Sequence, residues 1–336
     1  MKRSRGSQPT IYDVAALSGV SISTVSRVLN APDQVSDETR HKVVEAIDEL
    51  GFVPKAEARA RALQHSHRIG VLTPYFTAPS FVQRLRGVSS ALANTNNELI
   101  IYTVDSLSRL QGYLTTLPIN GNLQGLIVMS LPVDAASVSR LVKHGLNTVS
   151  IEYRTNGFSS IEIDDSAGGM LAAEFLVSRG HTRLGFIGDI DPPNYAIRPV
   201  GKRLEGFRQG LSEAGLILEP EYVCSCAYLQ EETQAAVLRL LGLPKPPTAI
   251  FLAADIQATV ALKVARGAGL HVPDDLAVLG FDDLDLAGYV GLTTIRQPLD
   301  DSGRIAVELL LSKLADNSRP QQHIQLPISI VERDTV

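Results

Sequence analysis

The stretch Thr10-Ile11-Tyr12-Asp13-Val14-Ala15-Ala16-Leu17-Ser18-Gly19-Val20-Ser21-Ile22-Ser23-Thr24-Val25-Ser26-Arg27-Val28-Leu29-Asn30 decides the first part of the fold. Thr10 with Asp13 three residues on is a capping-box pattern, and Ile11, Val14 and Ala15 follow at helical spacing. Gly19 stops this helix, because glycine tolerates the left-handed conformation that a helix end requires. Ser21 caps a second helix whose stripe is Val25, Val28 and Leu29, and Asn30-Ala31-Pro32-Asp33 breaks it. Ser36 starts a third, with Asp37 and Glu38 favourable to the helix dipole, Val43, Val44, Ile47 and Leu50 as its apolar face, and Gly51 as its stop. Two short helices joined by a glycine turn make a helix-turn-helix unit.

After Pro54 runs Lys55-Ala56-Glu57-Ala58-Arg59-Ala60-Arg61-Ala62-Leu63. These are good helix formers almost without an apolar face, which predicts a linker that is helical only when docked. From Arg68 the texture changes. Apolar runs at Ile69–Thr73, Leu99–Val104, Gly125–Ser130, Thr148–Ile151, Leu184–Gly188, Ala249–Ala253 and Ala277–Gly280 read as strands. Helical segments at 80–94, 134–144, 166–179, 200–214, 230–241 and 255–268 sit between them. This alternation predicts parallel sheets covered by helices, and the length predicts two lobes. No internal repeat is evident.

The chain has 336 residues, of which 44% are hydrophobic and 20% charged, an ordinary globular composition. Its net charge of −5 argues against a nucleic-acid partner only as an average, since residues 1–68 carry +2 and the remainder −7. The two parts are suited to different partners. No run of about 18 apolar residues spans a membrane. The basic start Met1-Lys2-Arg3-Ser4-Arg5 precedes no apolar segment, so no secretory signal is expected. Cys224 and Cys226 are too close for an easy bridge and lack metal-ligand neighbours. A cytoplasmic protein without metal or cofactor is the expectation.

The ordered set of motifs resembles the LacI/GalR family of bacterial repressors. The residues that carry the resemblance are Thr10–Ala15, Gly19–Asn30, Val35–Arg40 and Leu50–Pro54 at the N-terminus. Further along they are Arg68–Leu72, Gly180–Gly188, Arg203–Phe207, Gly280–Asp283 and Thr293–Pro298. The resemblance implies an all-α helix-turn-helix head, a hinge helix and an α/β effector domain of two parallel-sheet lobes, similar to periplasmic sugar-binding proteins. It also implies a homodimer, with a tetramer as the alternative, that binds a palindromic double-stranded DNA operator. A small-molecule effector of the sugar class between the lobes would switch it. The divisions expected are 1–53 for the head, 54–67 for the hinge and 68–336 for the effector domain. Lobe one takes 68–163 with 293–321, and lobe two takes 164–292 with 322–336.

In such a head the recognition helix places its first residues on base edges in the major groove. Ile22 and Ser23 face away from the Val25/Val28/Leu29 stripe, so Ile22 suits a thymine methyl and Ser23 a base edge. Arg27, one turn on, reaches guanine or phosphate. Thr10, Ser21, Thr24, Ser26 and Asn30 suit phosphate oxygens, and Tyr12 either packs or holds a phosphate. Thr10 and Ser21 also cap their helices, and both roles stand together. The family places a wedging leucine seven residues after the hinge proline, and here that position is Arg61. Arginine enters a narrow minor groove electrostatically but does not prise bases apart. Arg61 is therefore either a groove contact or a solvated linker residue, while Lys55 and Arg59 serve phosphates.

Asp282 follows the apolar strand 277–280 and so stands at the carboxyl end of a parallel strand, where ligands bind. The resemblance adds Arg203 as the effector arginine, Phe81 and Tyr228 as aromatic walls, and Gln297 in a lobe-crossing segment. Ser80, Asp164 and Asp255 complete the candidate set. Phe81 and Tyr228 equally suit a core, Arg203 a surface position, and Asp164 and Asp255 helix caps. The family often has Asn before the residue equivalent to Asp255, whereas this chain has Ala254. An enzyme is not expected, because Walker, Gly-x-Gly-x-x-Gly and Gly-x-Ser-x-Gly motifs are absent and the seven histidines are scattered. The alternatives are a regulator answering to a co-repressor, either a nucleobase or a partner protein, and a sugar-binding protein without a transcriptional role.

Overall fold

The computed structural model describes residues 9–30, 34–52, 67–191, 193–197 and 199–336, and the side chain of Asn30 is not among what it describes. The hinge at 54–66, with Lys55, Arg59 and Arg61, lies outside the described residues.

Three helices build the head: α1 (Ile11–Ser18), α2 (Ile22–Asn30) and α3 (Asp37–Leu50). The local signals act as expected. The Thr10 N–H and hydroxyl both donate to Asp13 Oδ2 at 2.8 Å, and Ser21 Oγ accepts from the Thr24 N–H at 3.1 Å. Gly19 and Gly51 close α1 and α3 at φ of 68° and 61°. Val14, Val25, Val28, Val43, Ile47 and Phe52 form the core between the helices.

The rest folds as two six-stranded sheets flanked by helices. The first holds β1 (Arg68–Thr73), β2 (Glu98–Thr103), β3 (Gly125–Met129), β4 (Asn147–Ile151), β5 (Ser159–Glu162) and β11 (His323–Gln325). Its order is β11-β5-β4-β3-β1-β2, parallel throughout. The second holds β6 (Leu184–Gly188), β7 (Val223–Ser225), β8 (Ala249–Leu252), β9 (Ala277–Asp282), β10 (Thr293–Arg296) and β12 (Ser329–Val331). Its order is β12-β10-β9-β8-β6-β7, with only β12 antiparallel. The helices are α4 (Pro79–Leu92), α5 (Leu107–Asn120), α6 (Ala135–Lys143), α7 (Asp165–Ser178), α8 (Pro199–Glu213), α9 (Gln230–Leu241), α10 (Asp255–Gly267), α11 (Asp285–Tyr289) and α12 (Leu299–Ala315).

The lobe boundaries differ from those expected. Thr293–Arg296 pairs with β9, so it belongs to lobe two and not lobe one. His323–Gln325 pairs with β5, so it belongs to lobe one and not lobe two. The chain therefore crosses between lobes near 163, at 297–298 and at 326–328. Hydrogen bonding to distant strands sets this assignment. Neither segment is long or apolar enough to declare its sheet locally.

Glycines let the helices of each lobe cross closely. In lobe two, a Cβ on Gly206 of α8 would stand 1.9 Å from the Ser166 carbonyl oxygen, and one on Gly169 of α7 would stand 1.9 Å from that of Arg203. In lobe one, a Cβ on Gly87 of α4 would stand 1.9 Å from the Asp300 carbonyl oxygen, and one on Gly303 of α12 would stand 2.1 Å from that of Arg84. The same four-residue pattern serves both crossings: Arg84-Leu85-Arg86-Gly87 and Arg203-Leu204-Glu205-Gly206. A short repeat is thus present where none was evident from the chain alone.

Replacing Gly206 by alanine should force α7 and α8 apart and cost about 3 kcal/mol. Gly201→Ala, in the same helix with open space around it, should be neutral or slightly stabilising. Urea denaturation of the two variants compares them directly, and equal midpoints would contradict the close crossing.

Candidate functional site

The head presents an exposed reading surface. Tyr12 is 68% and Ile22 41% exposed, and Ser23 and Arg27 are exposed beside them, while Val25 and Val28 are buried. Thr10 is exposed, and Thr24 and Ser26 are half-buried. Ser21 is committed to the helix start, with its hydroxyl bonded to those of Ser23 and Thr24 at 2.8 Å.

The second site lies between the lobes, at the carboxyl ends of the strands. Gln297, in the second crossing, donates from Nε2 to Asp282 Oδ1 at 2.5 Å and accepts at Oε1 from Arg84 Nη2 at 3.1 Å. Arg84 of α4 also pairs with Glu152, whose other oxygen accepts a hydrogen bond from the Ser130 hydroxyl. On the lobe-two side, Arg203 donates to Asp165 Oδ1 at 2.9 Å and to the Ala253 carbonyl at 2.7 Å. Its guanidinium lies 3.6 Å from the Phe281 ring centroid and 4.0 Å from Asp282 Oδ1. Arg84, Arg203, Asp282 and Gln297 are all buried.

Backbone strain marks the same place. Among the described residues, the non-glycine positions with positive φ are Ser130 (57°), Glu152 (67°), Asp282 (122°) and Asp283 (56°). Each follows or ends a strand that points at the crossing. Such conformations cost free energy and persist where surrounding contacts over-determine them. Asp283 is held by Arg296 at 2.6 Å and Arg333 at 2.7 Å, which fixes the turn that delivers Asp282.

Electrostatics follow from burial and pairing. Burial pushes the Asp282 carboxyl up to about 6 against the pull of the Arg203 guanidinium and the Gln297 amide. Burial also works to raise Glu152, but Arg84 and Ser130 outweigh it and hold that carboxyl below the usual range. Burial also raises the Asp165 carboxyl against the pull of the Arg203 guanidinium, and the Glu152 charge adds to the rise.

Aromatic groups stand at the mouth. The Tyr228 side chain is 44% exposed, and partial burial raises its hydroxyl above the ordinary tyrosine value. Its hydroxyl senses Arg203, Asp282, Asp189 and Tyr75. Burial pushes Tyr75 of lobe one up to about 12, with Tyr195 and Asp189 of lobe two adding to the effect. The Ile197 N–H donates to the Ser130 carbonyl at 3.3 Å, so the loop after β6 touches lobe one.

Of the expected cleft residues, Arg203, Asp282 and Gln297 come together, and Tyr228 stands beside them. Phe81 packs in the lobe-one core, with Tyr75 edge-on at 5.7 Å and the Arg84 guanidinium 5.7 Å from its ring centroid. It backs the site without opening onto it. Asp164 caps α7 by accepting from the Ala167 N–H at 2.9 Å. Asp255 is fully buried and accepts from Thr294 Oγ1 at 2.5 Å and the Leu284 N–H at 2.8 Å. It braces the turn below Asp282, and burial raises its carboxyl well above the usual range. Ser80 is half-buried in the first turn of α4 and makes no described contact with the network.

Arg84, Ser130, Glu152, Asp165 and Tyr75 are additions. Ser130 ends and Glu152 follows a strand read from the sequence, and the strand-end argument that selects Asp282 applies to them equally. Arg84 shows itself as an arginine within the apolar stripe Phe81, Leu85, Val88 and Leu92. No group of three or more potential metal ligands occurs among the described residues, and none of their helices is long and apolar enough to cross a membrane.

Residues 10–55 match the model of the bacterial regulatory proteins of the lacI family, and residues 173–336 match a periplasmic binding protein-like domain. The ribose operon repressor of Escherichia coli K12 is 33% identical over 331 residues, covering 96% of this chain and 98% of that protein. The transcriptional regulator CelR–cellobiose complex superposes with a TM-score of 0.70 at 28% identity, covering 98% of this chain and all of that one. The lac repressor dimer bound to operator and the anti-inducer ONPF superposes with a TM-score of 0.69 at 25% identity, covering 98% and 99%. With an exposed helix-turn-helix face, two parallel sheets joined by three crossings and likeness over almost its full length, the chain belongs to the LacI family of bacterial transcriptional regulators.

Proposed function

We propose that the chain represses transcription by binding a palindromic operator as a homodimer, and that an uncharged sugar held between the lobes lowers that affinity. The observation that carries the second half is the chain Arg84–Gln297–Asp282, which ties both lobes together through a crossing residue. Its members offer paired donors and acceptors of fixed geometry. A polyol presents neighbouring hydroxyls that take over such bonds with little change in hydrogen-bond count. Tyr228 and Tyr75 supply ring faces for the apolar side of a pyranose or furanose. The cleft binds and does no covalent chemistry. The cellobiose complex of a full-length relative and the ribose operon repressor support the sugar class.

A thermal-shift panel that includes ribose, cellobiose, common hexoses and nucleobases tests the ligand class. One or more sugars should raise the melting temperature of the wild-type chain, and Asp282→Ala or Gln297→Ala should abolish that rise while leaving the fold intact. Stabilisation by a nucleobase alone, or by no small molecule, would overturn the sugar reading.

The pH response has a defined sign. Ionised Asp282 accepts from hydroxyls and its protonated form accepts less, so sugar affinity should fall as pH drops below about 6. The limiting slope is about tenfold per pH unit. Without ligand, the native carboxyl binds its proton more tightly than an unfolded aspartate near 3.9. Its contribution to stability is therefore lost as pH rises from about 4 to about 6. Isothermal titration at pH 5 and 7 measures the first effect, and Asp282→Asn should flatten it.

On the DNA side, Ile22→Ala and Ser23→Ala should each cost about 1–3 kcal/mol, confined to particular base positions. Arg27→Ala should instead weaken binding and, if it contacts phosphate, reduce the salt slope by about one. Competition binding against single-base operator variants at two salt concentrations separates these effects. A slope near zero for the wild type would contradict the assignment of phosphate contacts.

A further inference from the structure

The head does not float free of the effector domain. Asp48, in the last turn of α3, accepts from Arg140 Nη2 of α6 at 2.5 Å, and the same guanidinium donates from Nη1 to Thr115 of α5 at 3.0 Å. Lys143 Nζ donates to the Asp48 carbonyl at 3.5 Å, and Nε2 of the buried His144 stands 4.0 Å from Asp48 Oδ1. Ile119 of α5, only 4% exposed, completes the head's own apolar core beside Val28, Ile47 and Phe52. The side of the head so engaged is not the reading side, since Tyr12, Ile22, Ser23 and Arg27 stay exposed.

From these contacts we infer that lobe one carries a seat for the head: the Asp48–Arg140 pair and the Ile119 plug hold the reading helix outward, and α6 links the seat to the cleft. The chain path supplies the link. Ser130 leaves the cleft, α6 runs to the head at Arg140–His144, and β4 returns to Glu152. The Ser130 hydroxyl then closes the loop on the Glu152 carboxylate. The far turn of this loop touches the head, and its two near ends are bonded to each other in the cleft. Moving Ser130 relative to Glu152 tilts α6 against β4 and shifts Arg140. The pair itself is partly shielded, with Arg140 25% and Asp48 30% exposed at the side chain, so it is stronger than a fully solvated one. Beside it a cavity of about 690 Å³, lined by Val35, Arg40, Arg109 and Tyr113 among others, remains between head and lobe. The seat is consequently a directional contact at one end and not a continuous apolar interface. A head held in one orientation binds DNA without first losing rotational freedom, which raises affinity.

The link to the cleft rests on the ligand reading above, but the seat does not, and the experiment treats them separately. Amide hydrogen exchange is followed in the DNA-free full-length chain for wild type, Asp48→Arg, Arg140→Glu and the charge-swapped pair. Each is also titrated with a duplex selected from a random library by the wild-type chain. Each single reversal should speed exchange in Asp37–Leu50 and Leu107–Asn120 by tenfold or more and weaken duplex binding about tenfold. The swapped pair should restore both. Exchange in β6–β9 reports the integrity of the effector fold, and Asp48→Arg keeps the test intact should Arg140→Glu misfold. Wild-type exchange in both single variants, or failure of the swap to restore either readout, would overturn the seat. For the link, Glu152→Gln should speed exchange in Asp37–Leu50 two- to threefold without any ligand, and no change there would overturn it.

Discussion

Two buried guanidiniums govern the effector domain. Arg84 and Arg203 lie within the apolar faces of α4 and α8, where an unpaired charge costs several kcal/mol. Each is neutralised by a carboxylate of its own lobe, Glu152 and Asp165 respectively. The bonds left over, Arg84 to Gln297 and Gln297 to Asp282, run from one lobe to the other. Self-consistent pairing stabilises this arrangement of the two lobes. A ligand that substitutes for these bonds changes which groups the lobes share, and that difference is what can shift a two-state equilibrium.

The arginines hold their places because of the glycines three residues beyond them. Gly87 and Gly206 let α4 and α8 approach α12 and α7 until backbone touches backbone. That approach brings Arg203 onto Asp165 at the start of α7, and Arg84 into the lobe interface beside Gln297. Packing and charge satisfaction are therefore one constraint, met twice by the pattern Arg-Leu-x-Gly. The strained turns at Ser130, Glu152, Asp282 and Asp283 belong to the same arrangement, since the first three aim polar groups at the crossing and Asp283, held by Arg296 and Arg333, fixes the turn that delivers Asp282.

The head follows a different logic. Its helices are short and marginal alone, and its core of valines is small. Caps at Thr10, Ser21 and Ser36 and stops at Gly19 and Gly51 define its elements locally. Its orientation depends on contacts with lobe one that no local signal announces: Ile119 ends a helix 67 positions beyond Phe52, and Arg140 lies 92 residues beyond Asp48.

The residues by themselves determined the helix-turn-helix head, the long apolar strands such as Leu184–Gly188, the strand-end position of Asp282 and the class of regulator. The first three rest on signals contained within a few residues, whether a cap, a periodicity or a turn, and the class of regulator rests on the resemblance carried by motifs in order along the chain. They did not determine that Thr293–Arg296 belongs to lobe two, that His323–Gln325 returns to lobe one, that Asp255 braces the turn after Asp282, or that Arg84 and Glu152 join the site. Strand partners and ion pairs are chosen by the lowest free energy over the whole chain. Segments of three or four mixed residues, and single charges within apolar stripes, carry no local record of that choice. The tertiary fold made it, because only there do burial and pairing act together.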